Sequence, residues 1–503
     1  MFQFKFLEIV AEKKLRLLFI TGIGALLILF VFRFLLIFSG NGELYGIDNT
    51  FVYSITRTLA GYDLYYNPEQ FPYTITLYSP LYYNICTLIG RLFHINVENP
   101  IQVYQLCRSV SLVCDIVTCG LLYLILRKRF QIQNEITVLA IAVLATVLCY
   151  LGYTFSRCDS LLLTMYALFI YQLTGPLIQQ NRSRIFFLAL LSVACIFSKQ
   201  NGIVVPLLAL VWLFIHKAGK MAIYYCIFFI IIFFPVLLTY VYVLNYHYLF
   251  DNTITALQNG IVLSWFYVDI FKRLMNSLWI LLLYIPLMLS LIYWYKPSSL
   301  FVKSLSAIFI IQFVFSLGTS LKDGSSAGYF NENYFLGTII FCYVIHTYQT
   351  KPVNFYINKI ILFFLPLFIL FLLHTVAQGY LFFIQKRNEK MILYQQQKNI
   401  RDYLRPQLKN NYVFNLGNQN TDFFKTLFYK EMAVPSFDIV DWCTIPRKTF
   451  DYTVLKNDFS NGKIAYIISP EGTTYSSIWG VSLQNYHKDT TINGFNIYRF
   501  QQP

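Results

Sequence analysis

Charged residues are scarce in this chain, and their scarcity excludes most kinds of soluble protein. Asp, Glu, Lys and Arg together make up 13% of its 503 residues, whereas about a quarter is usual for a soluble domain. Hydrophobic residues make up 57%, and the mean hydropathy is +0.54. Because so few charges cannot coat a water-facing surface, we expect lipid to surround much of the chain.

The sequence also lacks the cysteine patterns of a disulfide framework or a zinc site. It has ten Cys but no CxxC pair, and no Cys/His spacing suits zinc. Most of these Cys lie in apolar runs, as small core residues do. A continuous basic face is missing as well, because the net charge of +15 is spread in short clusters between apolar runs. That distribution argues against nucleic-acid binding.

Apolar runs of membrane-spanning length are the strongest positive signal. The first is too long for a cleavable signal peptide and no small-residue cleavage site follows it, so we expect a first anchor. The runs at 185–198 and 202–216 are short, which allows a tight pair or a re-entrant hairpin. The sequence predicts about eleven helices, at 15–38, 105–126, 135–154, 159–178, 185–198, 202–216, 222–246, 272–294, 302–320, 334–348 and 358–380.

Basic residues in alternate short loops predict the orientation of these helices. Such loops include residues 127–129, residues 182–184 and residues 217–220. Short Lys- and Arg-rich loops stay on the cytoplasmic side. We therefore expect a multi-pass protein of the bacterial cytoplasmic (inner) membrane with a cytoplasmic N-terminus. An odd number of spans then places the C-terminus outside the cytoplasm.

The first loop, at about residues 39–104, contains two amphipathic stretches. In one, Phe51, Val52, Ile55 and Leu59 recur at helical spacing after a cap at Asp48 or Asn49, and Gly61 can end the helix. The other starts at Pro80, which is favoured in a first helical turn, and continues through Leu92. Both patterns are typical of helices that lie on a membrane surface.

Beyond about residue 385 the composition becomes polar and the pattern changes. Residues 395–405 predict a helix, and residues 412–417, 464–468 and 495–499 predict strands. We therefore predict a transmembrane module over residues 1–384 and a small extracytoplasmic α/β domain over residues 385–503, which we call the tail. The fold class is an all-α polytopic membrane protein with this α/β addition.

Charged side chains recur at the ends of the apolar runs, on the side predicted to lie outside. Asp48, Arg157 with Asp159, Lys199 with Gln200, and Lys322 with Asp323 all lie there. Arg and Lys can bind a phosphate, and an Asp can accept a proton from an attacking hydroxyl. The pattern favours a polar site at the membrane boundary for a lipid-linked phosphosugar.

Each of these residues also has a purely structural interpretation. Arg157 and Asp159 could pair to join two helix ends, Lys199 could reach toward lipid head groups, and Asp48 could cap a helix. Residues 324–326 could form a simple turn, and the Tyr-rich segment at 62–83 could form an aromatic belt. Only their common placement on one face favours a joint site.

The ordered set resembles the GT-C superfamily of glycosyltransferases that use polyprenyl-phosphate-linked sugars. The likeness is strongest to the bacterial branch related to protein O-mannosyltransferases and the lipid A aminoarabinose transferase, and it covers roughly residues 15–380. The matching segments are Tyr45-Gly-Ile-Asp48, Tyr65-Tyr-Asn-Pro68, Leu77-Tyr-Ser-Pro-Leu-Tyr-Tyr83, Ser156-Arg157-Cys158-Asp159, Ser198-Lys199-Gln200-Asn-Gly202, Lys322-Asp-Gly-Ser-Ser326 and Asn333-Tyr334-Phe335.

The resemblance implies an inverting sugar transfer that uses a polyprenyl-phosphate-sugar donor. Asp48 would be the catalytic base, and Arg157, Lys199 and Lys322 would bind the donor phosphate. Many relatives carry a second acid after the first Asp, where this chain has Asn49. We therefore expect no cofactor; a divalent metal is allowed by the chemistry but not indicated. The predicted substrate cleft comprises Tyr78, Tyr82, Tyr83, Asp159, Gln200, Ser325, Asn333 and Tyr334.

The acceptor and the type of activity stay open at the level of sequence. A glycan, a lipid such as lipopolysaccharide, or a protein would serve as acceptor outside the cytoplasm. A lipid-linked oligosaccharide flippase is an alternative, although related halves, which transporters often show, are not found here. An O-antigen polymerase or ligase is another, but it would have its largest outer loop late in the chain. The enzymatic interpretation expects Asp48, Arg157 and Lys322 to share one pocket.

Overall fold

The computed structural model describes the chain except residues 1, 43, 45–47, 176–180, 276–279, 296–298, 350–353, 417–422, 436–439, 473–475 and 503. For residues 2–15, 273, 280–281, 347–349, 354–364 and 442–443 it describes the backbone alone. The described chain is mostly helical, and a small sheet follows near the C-terminus.

Helices occupy most of the first 408 residues, and short 3-10 or π-helical turns extend several of them. The helices are α1 (Phe2–Ile37), α2 (Asp48–Leu59), α3 (Leu81–Leu92), α4 (Pro100–Leu124), α5 (Asn134–Leu151), α6 (Cys158–Leu173), α7 (Arg182–Ser198), α8 (Val205–Ile215), α9 (Gly219–Leu238), α10 (Leu249–Thr253), α11 (Leu263–Trp265), α12 (Lys272–Met275), α13 (Ile285–Tyr295), α14 (Leu300–Ser320), α15 (Asn331–Gln349), α16 (Asn354–Gly379) and α17 (Arg387–Leu408).

Each of the eleven predicted apolar segments contains a helix, although several segments end in described residues that are not helical. Within those described ranges, six helices are long and apolar enough to cross a membrane. They are Arg16–Ile37, Pro100–Arg129, Asn134–Leu151, Gly219–Val243, Leu300–Ser320 and Leu365–Leu408. The total of eleven crossings and the side on which each loop lies stay predictions.

The chain divides into two compact units. The first comprises residues 1–36, 111–236 and 260–382, and the second comprises residues 37–110, 237–259 and 383–503. In the first unit, large buried side chains such as Tyr166, Trp212 and Phe335 form the centre of an extended apolar core. This core packs helices that are far apart in sequence, and its interior therefore resembles that of a soluble helical protein.

Glycine permits one close approach of helices inside the first unit. A Cβ at Gly337 in α15 would overlap the carbonyl oxygen of Leu282. We expect Gly337→Ala to lower the free energy of unfolding by about 1–3 kcal/mol, because backbone rather than a flexible side chain must move. Gly318 in α14 has nothing within 4 Å of the same position, so Gly318→Ala is the matched control. Equal midpoints of thermal unfolding for purified Gly337→Ala and Gly318→Ala would contradict the close contact between Gly337 and Leu282.

In the second unit, the two amphipathic segments form helices as predicted. α2 begins at Asp48, and Gly61 follows its end with a positive φ of 89°. α3 starts after Pro80. Every residue of α2 from Asp48 to Thr58 is buried, however, which corrects the expectation that this helix has a face at the membrane surface. α3 does expose Leu88 and Leu92, and this exposure agrees with the predicted lipid contact.

The tail contains the predicted helix and all three predicted strands. α17 is followed by β1 (Tyr412–Asn415), α18 (Phe424–Leu427), β2 (Met432–Ala433), α19 (Thr453–Ser460), β3 (Ile464–Pro470), β4 (Ser477–Ile478), β5 (Val481–Ser482), β6 (Tyr486–Ile492) and β7 (Phe495–Phe500). The main sheet has the order β2-β1-β3-β7-β6, with β2, β1 and β3 parallel and β6 and β7 antiparallel to their neighbours. Asn493-Gly494, both at positive φ, makes the hairpin turn between β6 and β7.

The apolar core of the tail includes part of the first loop. Tyr73, Ile75 and Leu77 pack in the same cluster as Phe414 and Ile467 of the sheet. The Tyr73 hydroxyl also donates to Asp458 at 2.7 Å, and the Val434 N–H donates to the Pro72 carbonyl at 2.8 Å. Loop and tail therefore stabilise each other in the second unit. Whether residues 385–503 fold as an independent domain stays a prediction.

Candidate functional site

Three of the predicted charged residues meet in the first unit. Asp159 Oδ1 lies 2.6 Å from Lys199 Nζ, and Asp159 Oδ2 lies 3.5 Å from Arg157 Nε. The three side chains are between 3% and 6% exposed. Lys199 therefore pairs with a carboxylate rather than extending toward head groups, and Asp159 holds two cations at once. We call Arg157, Asp159 and Lys199 the ion cluster.

The local sequence explains how α6 and α7 bring this cluster together. Arg157 precedes the first residue of α6 in an extended conformation, and Asp159 lies in the first turn, where a carboxylate is favoured. Lys199 ends α7 and is also extended. A Cβ at Gly202 would overlap the Cys195 backbone, so only glycine fits the tight turn that carries Lys199 into α8. The two short apolar runs thus form a tight pair.

Glu332, at the start of α15, and Tyr329, in the turn before it, lie near the ion cluster. Glu332, which is 5% exposed, interacts electrostatically with Lys199 and Asp159. The Tyr329 ring centroid lies 4.9 Å from Lys199 Nζ. The buried side-chain amides of Asn331 and Asn333 have no hydrogen-bond partner in the described part of the chain. Since buried amides are costly to leave unpaired, they favour a polar ligand or ordered water here.

Glu332 is a residue that the sequence argument missed. It lies between Asn331 and Asn333, at the start of an apolar run, where the same reasoning about charges at helix ends could have found it. Its carboxylate adds a second negative charge near the two cations. The ion cluster with Glu332 therefore has balanced formal charge when all four groups are ionised.

Lys322 lies in a turn between α14 and α15. Its backbone forms a bridge with Ile261, and Gly324 takes a positive φ of 69°. The Ser325 hydroxyl donates to the Ser320 carbonyl at 2.5 Å, which closes the turn. Partial burial lowers the pKa of the Lys322 ammonium. No carboxylate among the described residues lies within 4.0 Å of that ammonium, so Lys322 differs from Lys199.

Two further cleft residues of the first unit have defined surroundings. Gln200 is half-buried and begins the 3-10 turn after Lys199. Tyr334 is fully buried in the first turn of α15, next to Asn333. Gln200 follows Lys199 directly and Asp159 is part of the ion cluster, whereas Asn333 lies in the first turn of α15; their part in substrate binding stays a prediction.

Asp48 begins α2 in the second unit and is fully buried, at 0% exposure. Its Oδ2 accepts a hydrogen bond from the Leu44 N–H at 3.3 Å. A buried carboxylate at a helix N-terminus is stabilised by the helix dipole. Asp48 is the first described residue of α2, and its catalytic role stays a prediction.

The predicted cleft tyrosines surround Phe51, one helical turn after Asp48. The Phe51 ring stacks on Tyr78 at 5.0 Å and on Tyr83 at 5.3 Å, and it meets the edge of Tyr82 at 6.1 Å. Tyr82 and Tyr83 are buried, and the Tyr82 hydroxyl donates to the Cys107 carbonyl at 3.1 Å. Tyr78 keeps partial exposure, so its ring is the one of the three with surface left for a substrate.

A second buried ion pair escaped the sequence argument because both partners lie inside apolar runs. Arg33 of α1 lies 2.9 Å from Asp115 of α4. The Arg33 guanidinium also donates to the Thr154 carbonyl at 3.2 Å and lies 4.1 Å from the Phe155 ring centroid. The pair therefore fixes the segment that leads into Arg157.

Arg33→Met is expected to lower the free energy of unfolding by about 3–5 kcal/mol, because Asp115 would remain buried without its cation. The double variant Arg33→Met/Asp115→Leu removes both charges and is expected to regain most of that loss. Thermal or denaturant unfolding of the purified variants measures both. If the double variant has as low a free energy of unfolding as the single variant, the pair stabilises the fold by more than charge compensation.

Metal-ligand clusters were sought among the same described side chains. Within that part of the chain, no group of three or more His, Cys, Asp or Glu is arranged to hold a metal ion.

The long apolar helices and the small C-terminal sheet define a class: a multi-pass membrane protein. The sequence model of the dolichyl-phosphate-mannose-protein mannosyltransferase family matches residues 73–240, about a third of the chain. That segment includes Tyr78, Arg157 and Lys199. The predicted resemblance to GT-C glycosyltransferases is thereby confirmed.

Solved structures show the same fold over nearly the whole chain. ArnT from Cupriavidus metallidurans bound to undecaprenyl phosphate matches with a TM-score of 0.56 at 12% identity, over 95% of this chain and 97% of that one. The oligosaccharyltransferase AglB from Archaeoglobus fulgidus, in complex with an inhibitory peptide and a dolichol-phosphate, matches with a TM-score of 0.54 at 9% identity, over 89% and 69%. No curated protein sequence matches the chain.

Proposed function

We propose that this protein is an inverting glycosyltransferase that moves a sugar from a polyprenyl phosphate to an acceptor on the outer side of a bacterial cytoplasmic membrane. The acceptor is a lipopolysaccharide, another glycan or a protein of the cell envelope. The N-terminus is cytoplasmic and the tail extracytoplasmic in this proposal. The observation that carries it is the buried ion cluster of Arg157, Asp159 and Lys199 in a chain with the GT-C fold.

The donor class is supported by the lipids in the similar structures. ArnT was solved with undecaprenyl phosphate and AglB with a dolichol-phosphate. Both are polyprenyl phosphates, whose tails stay in the bilayer while the phosphate meets protein. We infer that this chain uses the same kind of carrier.

Arg157, Lys199 and Lys322 stabilise the phosphate that leaves in this reaction. Charge on that phosphate grows as the glycosidic bond breaks, and preorganised cations in a buried site stabilise it without rearrangement. Asp159 keeps two of them in place, because it contacts both Lys199 and Arg157. Lys322, from the turn between α14 and α15, supplies the third cation for the substrate phosphate.

Asp48 receives the proton of the acceptor hydroxyl as that hydroxyl attacks the anomeric carbon from the face opposite the phosphate. The configuration at that carbon inverts, and no covalent enzyme intermediate forms. Gln200, Asn333, Tyr334, Ser325 and Tyr78 orient the sugar, and the unpaired Asn333 amide supplies both a donor and an acceptor to its hydroxyls.

Purified protein in nanodiscs, incubated with a labelled polyprenyl phosphosugar, tests this function. We expect release of the label into water or onto an added cell-envelope extract, with one equivalent of polyprenyl phosphate formed. Protein reconstituted in vesicles separates the alternatives. Movement of intact labelled lipid between leaflets without cleavage would show a flippase and would sink the proposed transferase.

A further inference from the structure

The turn that carries Lys322 is paired with a separate segment of the first unit, residues 260–266, which we call the strap. The pairing is centred on an antiparallel bridge between Lys322 and Ile261. Backbone hydrogen bonds flank this bridge on both sides, from the Val262 N–H to the Leu321 carbonyl at 3.1 Å and from the Asp323 N–H to the Gly260 carbonyl at 3.2 Å. The backbone of the strap therefore fixes the register of the turn.

Trp265 adds a further contact from the strap, and this one is made by a side chain. Its indole Nε1–H donates to the Ser325 carbonyl at 2.9 Å. The Ser325 N–H donates in turn to the Lys322 carbonyl at 3.2 Å. Contacts with the strap therefore lie before Lys322, at Lys322 and after it.

The strap is itself anchored in the apolar core of the first unit. Trp265 and Phe266 pack against that core, and Ile270, in the π-helical turn that follows, is fully buried in it. Side chains in a packed core have little freedom to move. The indole N–H of Trp265 therefore gives the turn a fixed point of attachment.

The position of this turn matters for Lys322 because the turn lies at the surface of its unit. Lys322 and Asp323 are partly exposed, and Gly324 is exposed at a positive φ of 69°. A lysine binds phosphate as a point charge on a flexible stem, so the placement of its backbone decides where the charge can reach. Misplacement of a substrate-holding group by about 1 Å can lower a rate by about 10²-fold.

We propose that Trp265 is a positioning residue for the donor phosphate: its hydrogen bond to the Ser325 carbonyl ties the Lys322 turn to the apolar core and keeps the Lys322 ammonium where the phosphate binds. The proposal rests on the proposed function, in which Lys322 is one of the cations that bind this phosphate. Trp265 acts through Lys322 and makes no contact with the substrate itself.

Binding of undecaprenyl phosphate to the full-length protein in nanodiscs tests this role. Lys322→Met is expected to weaken binding by about 10- to 100-fold, the usual effect of a lost hydrogen bond between charged groups. Trp265→Phe keeps an aromatic ring and removes the N–H donor. We expect it to weaken binding by about 3- to 10-fold, because one neutral hydrogen bond no longer holds the turn in its binding position.

The double variant Trp265→Phe/Lys322→Met shows whether Trp265 acts through the lysine. We expect its loss of affinity to equal that of Lys322→Met alone, because the contact that Trp265 supports is already missing. A general structural effect of Trp265 would instead multiply with the loss from Lys322→Met.

Trp212→Phe is the matched control for the smaller ring. Trp212 packs in the same apolar core, and its indole Nε1 has no hydrogen-bond partner in the part of the chain that the structure describes. Its replacement is expected to lower the midpoint of thermal unfolding and to leave the affinity for undecaprenyl phosphate unchanged.

A second variant of the strap keeps the test decisive if Trp265→Phe does not fold. Gly260 takes a positive φ of 70°, and its carbonyl accepts the hydrogen bond from the Asp323 N–H. Gly260→Ala strains the strap at this residue. We expect it to weaken the binding of undecaprenyl phosphate as well, and to add nothing to the loss from Lys322→Met.

The outcomes separate this inference from the proposed function. Wild-type affinity in folded Trp265→Phe and Gly260→Ala, together with weaker binding in Lys322→Met, overturns the inference alone. Losses that multiply in the double variant also overturn it alone. Unchanged binding in Lys322→Met overturns the inference and removes Lys322 from the proposed site. Wild-type protein that does not bind undecaprenyl phosphate overturns both the inference and the proposed donor.

Discussion

Replacing Asp48 by Asn is expected to lower the turnover of sugar transfer by about 10²- to 10⁴-fold, the usual contribution of a general base. The amide has nearly the same shape as the carboxylate, and its oxygen can still accept the hydrogen bond from the Leu44 N–H. The fold of α2 should therefore persist while the proton acceptor is lost. Single-turnover transfer from a labelled polyprenyl phosphosugar measures the effect.

The pattern of kinetic change distinguishes a base from a binding residue. Loss of a base lowers kcat and leaves KM for the donor nearly unchanged, because the missing interaction acts in the transition state. Asp63→Asn is the matched control, since Asp63 lies exposed in the same loop. Wild-type turnover in a folded Asp48→Asn variant would remove Asp48 from the mechanism.

The helices were predictable because their signals are local. An apolar run of spanning length needs no knowledge of its neighbours, and the segments around 105–126 and 302–320 formed helices close to the expected bounds. The helix predicted at 15–38 ends as expected but begins earlier, at Phe2. The end of α2 before Gly61 also follows from local capping chemistry.

The surroundings of those helices were not predictable to the same degree. The amphipathic pattern of α2 predicts one apolar and one polar face, but it does not say what covers the polar face. In the structure Thr56 and Arg57 are buried, and Arg57 bonds to Tyr429 of the tail, more than 370 residues away in sequence. A single sequence carries no direct signal for a contact of that range.

The charges of the site illustrate the same limit. Arg157, Asp159 and Lys199 drew attention because charges at the ends of apolar runs are costly. Their mutual pairing depends on how α6 packs on α7, which the runs themselves do not determine. Arg33 and Asp115 carried an equally strong signal, but it lay inside their runs, whereas the site was predicted from charges at the ends of the runs.

Disrupting the ion cluster is expected to affect stability and catalysis together. Lys199→Met leaves the buried Asp159 carboxylate with Arg157 alone, at 3.5 Å. Loss of one partner from a buried pair lowers the free energy of unfolding by about 3–5 kcal/mol. Loss of one preorganised group that stabilises transition-state charge also lowers kcat by about 10²- to 10³-fold. Thermal unfolding and donor turnover measure the two effects separately.

A double variant separates the two roles of Lys199. Asp159→Leu/Lys199→Met removes one charge of each sign, so we expect part of the lost stability to return. The rest stays lost, because the buried Arg157 no longer has Asp159 as its partner. Turnover should stay low, because the cation for the leaving phosphate is still missing. The Arg33→Met/Asp115→Leu variant provides the comparison. Its ion pair contacts the Thr154 segment and lies outside the ion cluster. In this variant we therefore expect stability and turnover to return together. Recovery of both properties in the Asp159/Lys199 double variant would reduce that pair to a structural link between α6 and α7.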